Sequence, residues 1–141
     1  MITVEFVLAS FIILLISSSI ISIVFERMST ASSIEEFGNA RMISEKVAET
    51  INTVYSNGNG HSIILNLPSN ISNQKYEIKV NSSGVYIFIG GMVGKSYINP
   101  KKFAKTNKFK EDTVLMQGNR SYLIKNVKDL HGNNWIFIKE I

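Results

Sequence analysis

The sequence has no cysteine and only two prolines among its 141 residues. Without cysteine, the chain forms neither a disulfide framework nor a thiolate metal site. This absence does not locate the protein, because it fits either side of a membrane. No proline precedes Pro68, so no proline interrupts a helix in the first 67 residues.

Positive charge is absent from the first 25 residues, where the only charged side chain is that of Glu5. A secretory signal peptide normally opens with a basic region and closes with a small-residue cleavage site, and neither is seen here. The first cation is Arg27, beside Glu26, and taken alone it would place the following body in the cytoplasm. Two interpretations follow: a cytoplasmic body, or a numbering that begins after a basic leader has been removed.

Residues 6–25 form an apolar run without charge, proline or glycine, interrupted only by five serines. Twenty helical residues span roughly 30 Å, about the thickness of the hydrocarbon core of a bilayer. The rest of the chain has an ordinary soluble composition, and the formal net charge of +4 is mild. The pattern therefore predicts one membrane span and a polar body.

Glu5 is the most informative residue of the N-terminal segment. A carboxylate at the start of an apolar span is costly to bury and tends to mark function. One interpretation is a buried acid that pairs with a positive group of a neighbouring subunit, and the other is an interfacial acid among lipid head groups. Because a simple membrane anchor has no use for this acid, we favour the first interpretation and the removal of a leader.

Helical periodicity continues beyond the apolar run. Apolar residues recur at steps of three and four from Met28 to Val54, which indicates one apolar stripe along an amphipathic helix. We expect a continuous helix over residues 2–56, on the order of 80 Å long. We also expect the part of this stripe beyond the stem to be covered by the protein's own sheet.

The alternative is a helix that is weakened or interrupted near its middle. Ser33 and Glu36 have the spacing of a capping box, and Gly38 follows closely. The Asn-Gly-Asn-Gly sequence at residues 57–60 is expected to end the helix, because these residues reach left-handed backbone angles at little cost.

After residue 60 the periodicity changes to two, which is typical of strands. We expect strands over residues 62–67, 75–80, 85–89, 113–117, 121–125 and 135–139. Residues 81–84 are expected to join two of them as a hairpin, and Gly118-Asn119 to join residues 113–117 to 121–125 as a second hairpin. The strands would form an antiparallel sheet that packs one face on the amphipathic half of the helix.

The predicted fold class is therefore α+β. A long N-terminal helix packs in its C-terminal half against an antiparallel sheet. The expected organisation is an apolar stem at residues 1–27, an amphipathic continuation of the helix at 28–57 and a globular head at 58–141.

No motif in the sequence points to an enzyme or a cofactor. Gly94-Lys95-Ser96 resembles the end of a phosphate-binding loop, but Ile89 stands where the first glycine of that loop is required. A glycine turn between strands is the better interpretation. His61 and His131 are isolated in turns without ligand companions at metal spacing. We expect no catalytic, cofactor-binding or metal-binding residues.

Five lysines cluster after Pro100 with two aromatic residues among them: Lys101, Lys102, Lys105, Lys108, Lys110, Phe103 and Phe109. A basic patch with aromatic residues can bind nucleic acid or an anionic surface. The commoner explanation is a solvated segment whose aromatic residues pack into the core. We favour that explanation and expect no nucleic acid as a partner.

Three sequons for N-glycosylation begin at Asn70, Asn81 and Asn119, all in predicted loops or turns. Because the chain is rich in asparagine, chance matches are expected too. Together the three sequons modestly favour a head outside the cell.

Two stretches of the sequence resemble archaeal type IV pilins, a family of filament subunits with a class III signal peptide. The first is Met1-Ile2-Thr3-Val4-Glu5-Phe6 followed by about twenty apolar residues, with Glu5 at the position of the family's glutamate. The second is residues 40–55, which precede a glycine turn and the first strands. Met1 and Thr3 depart from the glutamine and the small residue that are usual at these positions. The resemblance ends near residue 90.

The resemblance implies a mature structural subunit, a major pilin, of an extracellular helical filament that adheres to surfaces or cells. It implies assembly roles for Met1, Glu5 and Phe6, with Glu5 pairing with the N-terminal amine of a neighbouring subunit. The partners it implies are further copies of the chain, the membrane before assembly, a prepilin peptidase, the pilus assembly machinery and surface glycans. A single-pass membrane-anchored ectodomain, a minor pilin and an archaellum subunit are the alternatives.

Overall fold

The computed structural model describes residues 3–105 and 108–141, and in them the chain forms one helix and eight strands. In chain order these are α1 (Val4–Ser56), β1 (Ser62–Asn66), β2 (Tyr76–Asn81), β3 (Gly84–Ile89), β4 (Met92–Ser96), β5 (Phe103–Ala104), β6 (Val114–Gln117), β7 (Ser121–Lys128) and β8 (Asn134–Glu140). The chain divides into two compact units, Met1–Glu35 and Glu36–Ile141. The predicted α+β fold, with the C-terminal half of the helix packed against strands, is confirmed.

The helix α1 begins at a side-chain cap. The Thr3 hydroxyl oxygen accepts a hydrogen bond from the backbone N–H of Phe6 at 3.3 Å, which satisfies one of the free donors of the first turn. From Val4 the helix continues to Ser56 without a break, as predicted. The capping-box alternative is wrong, because the Ser33 hydroxyl donates to the Ser29 carbonyl at 3.0 Å within the same helix.

The buried face of α1 starts at Ala40 and includes Val47, Ile51 and Val54, none of which retains any exposed surface. These side chains share one core with buried residues of both sheets, among them Ile78, Ile87, Ile124 and Ile136. Within this core the hydroxyls of Ser44 and Ser96 hydrogen-bond at 2.7 Å and so satisfy each other.

The predicted burial of the whole apolar stripe is wrong for its first part. Met28 is 65% exposed and Ile34 is 68% exposed, and Ala31 and Phe37 are exposed as well. The stripe is therefore one pattern in the sequence, but only its second part, from Ala40 onward, is core.

The strands form two four-stranded sheets rather than the single sheet that we expected. Sheet 1 has the order β1-β7-β8-β5, and sheet 2 has the order β4-β3-β2-β6. All pairs are antiparallel except β5–β8, which is parallel and aligns Phe103 with Ile136. The predicted hairpin at residues 81–84 is confirmed by the β2–β3 register, in which Asn81 faces Gly84.

The predicted hairpin between residues 113–117 and 121–125 is wrong. β6 pairs with β2 in sheet 2, whereas β7 pairs with β1 and β8 in sheet 1. The turn at Gly118-Asn119 thus carries the chain from one sheet to the other. Backbone contacts fix it there, because the Asn119 N–H donates to the Pro68 carbonyl at 3.1 Å.

Two tyrosines support this crossing. The Tyr76 hydroxyl donates to the Pro68 carbonyl at 2.6 Å, and the Tyr122 hydroxyl accepts from the Gln117 N–H at 2.8 Å. Burial raises the pKa of Tyr76 to about 12, with a further contribution from the neighbouring Tyr122. Tyr76 therefore stays a neutral hydrogen-bond donor at physiological pH.

Asn126 of β7 holds the C-terminal end of α1. Its fully buried side-chain amide donates to the carbonyls of Val54 and Tyr55 at 3.3 and 3.1 Å. These carbonyls belong to the last turn of a helix, where no intrahelical donor is left for them. The backbone N–H of Asn126 also donates to His61, so the same residue joins the helix end to the following segment.

We expect Asn126→Ala to lower the free energy of unfolding of the head by about 1–3 kcal/mol, because it removes the amide donor of the Val54 carbonyl, whereas the Tyr55 carbonyl keeps the Gly58 N–H. Thermal unfolding of the full chain in neutral detergent, followed by circular dichroism, measures the change. Asn70→Ala, at an exposed loop position, is the matched control and should change stability by no more than about 0.5 kcal/mol. Equal effects of the two substitutions would contradict the role of Asn126.

Two glycines offer a second matched test. A Cβ on Gly118 would stand 2.9 Å from the carbonyl oxygens of Pro68 and Ser69, so Gly118→Ala should destabilise the head by about 1–3 kcal/mol. A Cβ on Gly38 would meet nothing within 4 Å, so Gly38→Ala should stabilise the helix by about 0.5–1 kcal/mol. The same unfolding measurement compares them, and changes of the same sign would contradict the expectation.

Candidate assembly surface

Apolar side chains are exposed along the whole first part of α1. Because consecutive positions are included, they cover every side of the helix rather than one stripe. Between residues 6 and 25 the large apolar side chains are each 47% to 68% exposed: Phe6, Val7, Leu8, Phe11, Ile12, Ile13, Leu14, Leu15, Ile16, Ile20, Ile21, Ile23, Val24 and Phe25.

This surface is too large to remain in water. Burial of one large apolar side chain stabilises by about 1.5–3 kcal/mol, so fourteen of them correspond to tens of kcal/mol. The entire net stability of a typical domain is only about 5–15 kcal/mol. The stem therefore requires an apolar environment that the described part of its own chain does not provide.

A membrane is one such environment. The most apolar 18-residue window of α1 has a mean hydropathy of 2.6 and none of it is buried. By length and composition α1 can cross a bilayer. A signal sequence near an N-terminus has the same two properties.

Glu5 lies exposed in the first turn of α1, one residue before Phe6, which is 63% exposed. An acid in the first turn interacts favourably with the positive end of the helix dipole. This position lowers the cost of the charge at the end of an apolar helix. Met1, the third predicted assembly residue, lies outside the described residues.

Three of the five serines between residues 6 and 25 hydrogen-bond to carbonyls of their own helix. Ser10, Ser17 and Ser19 donate to the carbonyls of Phe6, Ile13 and Leu15 at 2.8–2.9 Å, each four residues earlier. Such bonds need no external partner, so these serines can enter an apolar environment at little cost.

The three sequons lie on the head. Asn70 and Asn119 are exposed, and the Asn119 backbone has a φ of 62° at the crossing between the sheets. Asn81 is half-buried, and its side-chain oxygen accepts from the Ser83 N–H at 2.8 Å in the β2–β3 turn. Asn70 and Asn119 are therefore the more open acceptor sites.

The Gly90–Ser96 segment contains the turn and the second strand of the β3–β4 hairpin. Gly90 and Gly91 have φ values of 54° and 77° and form the turn between β3 and β4, and Gly94 and Lys95 lie within β4. The glycine turn is confirmed for Gly90 and Gly91, whereas Met92–Ser96 form a strand that we did not predict. In residues 3–105 and 108–141 no three His, Cys, Asp or Glu side chains are grouped to hold a metal ion.

The lysine segment after Pro100 packs its aromatic residues, as expected. Phe103 is buried, and the Phe109 ring lies 5.9 Å from Trp135 and 5.4 Å from Phe137 between centroids. Lys102 reaches over the Trp135 ring at 5.3 Å. The expected core packing is therefore confirmed for Phe103, whereas Phe109 is 45% exposed and packs on the outward face of sheet 1.

Asp129 organises the β7–β8 turn, a feature that we did not predict. Its carboxylate accepts from the backbone N–H groups of His131 and Asn133, both at 2.9 Å, and from the Trp135 indole N–H at 3.0 Å. These hydrogen bonds hold the pKa of Asp129 well below its usual range, and the bond from the Trp135 indole has the largest effect. The aspartate just before His131-Gly132 is a sequence signal for such a turn.

Comparison with protein-family models, with curated proteins and with solved structures gave no significant match to this chain.

The Asp129 contacts predict the acid behaviour of this turn. Because the folded state lowers the pKa, the stabilisation is complete above the unfolded value of about 3.9 and is lost as pH falls through the folded pKa. We expect the fluorescence of Trp135, the only tryptophan, to stay constant from pH 7 to about 4 and to change below that. Asp129→Asn should shift this emission already at pH 7, whereas exposed Glu111→Gln should not. Identical acid profiles for Asp129→Asn and the unmodified chain would contradict the assignment.

Proposed function

We propose that this chain is a structural subunit of an extracellular, archaeal type IV pilus-like filament, in which the stems form the core and the heads the outer layer. The observation that carries the proposal is the uncovered apolar surface of residues 6–25, preceded by a single acid. The resemblance of residues 1–6 and 40–55 to archaeal pilins supports it.

The uncovered surface suits a helix that has two successive environments. Before assembly the stem lies in the membrane, and in the filament it lies among neighbouring stems. Both environments are apolar, so the transfer changes its solvation little. Packing between stems, the pairing of Glu5 and the work of an assembly machine then decide whether the filament forms.

Glu5 is the polar element of this interface. In the filament core its carboxylate is desolvated and requires a cationic partner, since an unpaired charge there costs several kcal/mol. We propose the N-terminal amine of a neighbouring subunit as that partner. Before this pairing forms, the dipole of α1, whose first turn is capped by Thr3, lowers the energetic cost of the Glu5 charge.

Filament growth follows from the kind of interface. Side-by-side stems that repeat one heterologous contact, with a rotation that does not close, give an open helical polymer. The heads then lie outside, where Asn70, Asn81 and Asn119 are available for glycans and where contact with surfaces or other cells takes place.

The second candidate is a single-pass membrane-anchored ectodomain, monomeric or in a small complex. Two observations favour it: a span of suitable length, and an acid whose first-turn position is already explained by the helix dipole. It differs from the filament subunit in having no use for contacts between stems. Sheared surface material viewed by electron microscopy separates the two, and N-terminal sequencing of that material identifies the mature end.

Glu5→Ala in cells that produce the protein is the direct test. We expect membrane-inserted subunit at normal levels and at least a tenfold loss of sheared filaments, because the substitution leaves the neighbouring amine as an unpaired charge in a dry core, at a cost of more than about 1.4 kcal/mol per contact. Glu5→Gln should fail in the same way, since it keeps the shape but not the charge.

Glu26→Ala is the matched control, since it removes the acid that follows the apolar run. It should leave filament yield unchanged. Normal filaments from Glu5→Ala would refute the role of the acid. A normal membrane pool with no filaments from the unmodified chain would favour the anchored ectodomain.

A further inference from the structure

Three lysines lie on the outward face of sheet 1, and two more are the chain neighbours of an aromatic ring that packs there. Lys125 is in register with Phe137, and Lys139 with Leu123, so both share the face on which Phe137 lies. Lys102 lies over Trp135, and Lys108 and Lys110 flank Phe109, whose ring packs on the same face. We name this set the lysine face: Lys102, Lys108, Lys110, Lys125 and Lys139.

The lysine face has little opposing charge. Among the described residues, the two ion pairs are Arg41–Glu45 and Arg120–Glu140, and neither includes these lysines. The Asp129 carboxylate beside Trp135 keeps its negative charge while it accepts the hydrogen bonds of the β7–β8 turn, so it offsets one of the five lysines. The face therefore presents a positive potential to a partner.

From this arrangement we propose that the lysine face binds a linear acidic polysaccharide, a polymer whose sugar units carry carboxylates. Lys125 and Lys139 are diagonal neighbours on adjacent strands, about 7–8 Å apart at their backbones. Two cations on adjacent strands, with a third over Trp135, suit several carboxylates of one extended chain rather than a single anion. The other three lysines extend the contact along the sheet.

The same face is poorly suited to nucleic acid. Single-stranded nucleic acid binds through successive aromatic rings on which bases stack, but Trp135 is 7% exposed and Phe137 is 6% exposed, which leaves Phe109, at 45%, as the one exposed ring among these three. The cations are lysines, which act as point charges and lack the bidentate geometry with which arginine holds phosphate or a base edge. An anionic polymer that is recognised by its charges fits both the covered aromatic rings and the use of lysine.

The polysaccharide would give the head a target for adhesion, so the biological role of this proposal rests on the proposed function for placing the head outside the cell. The binding itself does not require a filament. A test on purified subunits therefore fails or succeeds independently of the Glu5 experiment.

The test uses the full chain in neutral detergent, titrated with polygalacturonate, with neutral dextran and with a DNA duplex of similar total charge. The fluorescence of the single tryptophan, Trp135, reports binding, because this residue lies within the lysine face. We expect polygalacturonate to change the emission saturably and more weakly as salt rises, dextran to have no effect and DNA to bind at least tenfold more weakly.

Three double variants test the specificity. K125Q/K139Q should weaken polygalacturonate binding on the order of tenfold, since each exposed cation near an anionic surface contributes several-fold. K46Q/K75Q removes two exposed lysines outside the lysine face and should leave affinity unchanged. K125R/K139R should retain binding.

Absence of binding, equal losses in the two glutamine variants, or DNA affinity equal to that of polygalacturonate would each overturn the proposal. The last outcome would assign the face to nucleic acid instead.

Discussion

The packing of α1 between its own strands is the contact on which the rest of the structure depends. Val47, Ile51 and Val54 are fully buried in a core that they share with both sheets. Because the chain has no cysteine to form a disulfide between the sheets, this shared core is the principal link between them. The helix therefore has two requirements: its second part must remain in the head, and its first part must find an apolar environment elsewhere. One continuous helix, Val4–Ser56, contains both parts.

Polar contacts decide how this core is arranged, although apolar burial supplies most of its stability. Asn126 places β7 against the last turn of α1, and the Gly118 turn leads the chain from sheet 2 to sheet 1. Neither contact involves a large apolar area. Each satisfies buried backbone groups that would otherwise favour another register, because an unpaired buried carbonyl costs more than a typical net hydrogen bond contributes.

Periodicity in the sequence predicted the existence of nearly all elements, but it did not predict how they pair. The continuous helix and six strands follow from repeats of 3.6 and 2, which are local properties. A glycine-first pair between two strands predicts a hairpin, and the crossing at Gly118 has this same local sequence. Only the contact with the distant Pro68 carbonyl distinguishes the crossing from a hairpin. β5 has two residues and a parallel partner far along the chain, so it carries no periodicity at all. For Met28 and Ile34 the periodicity was present but the predicted burial was wrong, since a pattern identifies an apolar face of a helix but not what covers it.

The position of Glu5 resolves a conflict within the proposed assembly. A stem that waits in a membrane must not carry an expensive charge, yet helices that pack only through apolar contacts have little to fix their relative register. An acid deep in the stem would give register at a prohibitive cost to insertion. An acid in the first turn is stabilised by the free N–H groups and the dipole of its own helix, so it is the least costly place for a charge in this segment. In the proposed filament, this one carboxylate then makes one axial position of each stem more favourable than its neighbours. Its contribution is to the selection of register, whereas the surrounding apolar surface supplies the contact area.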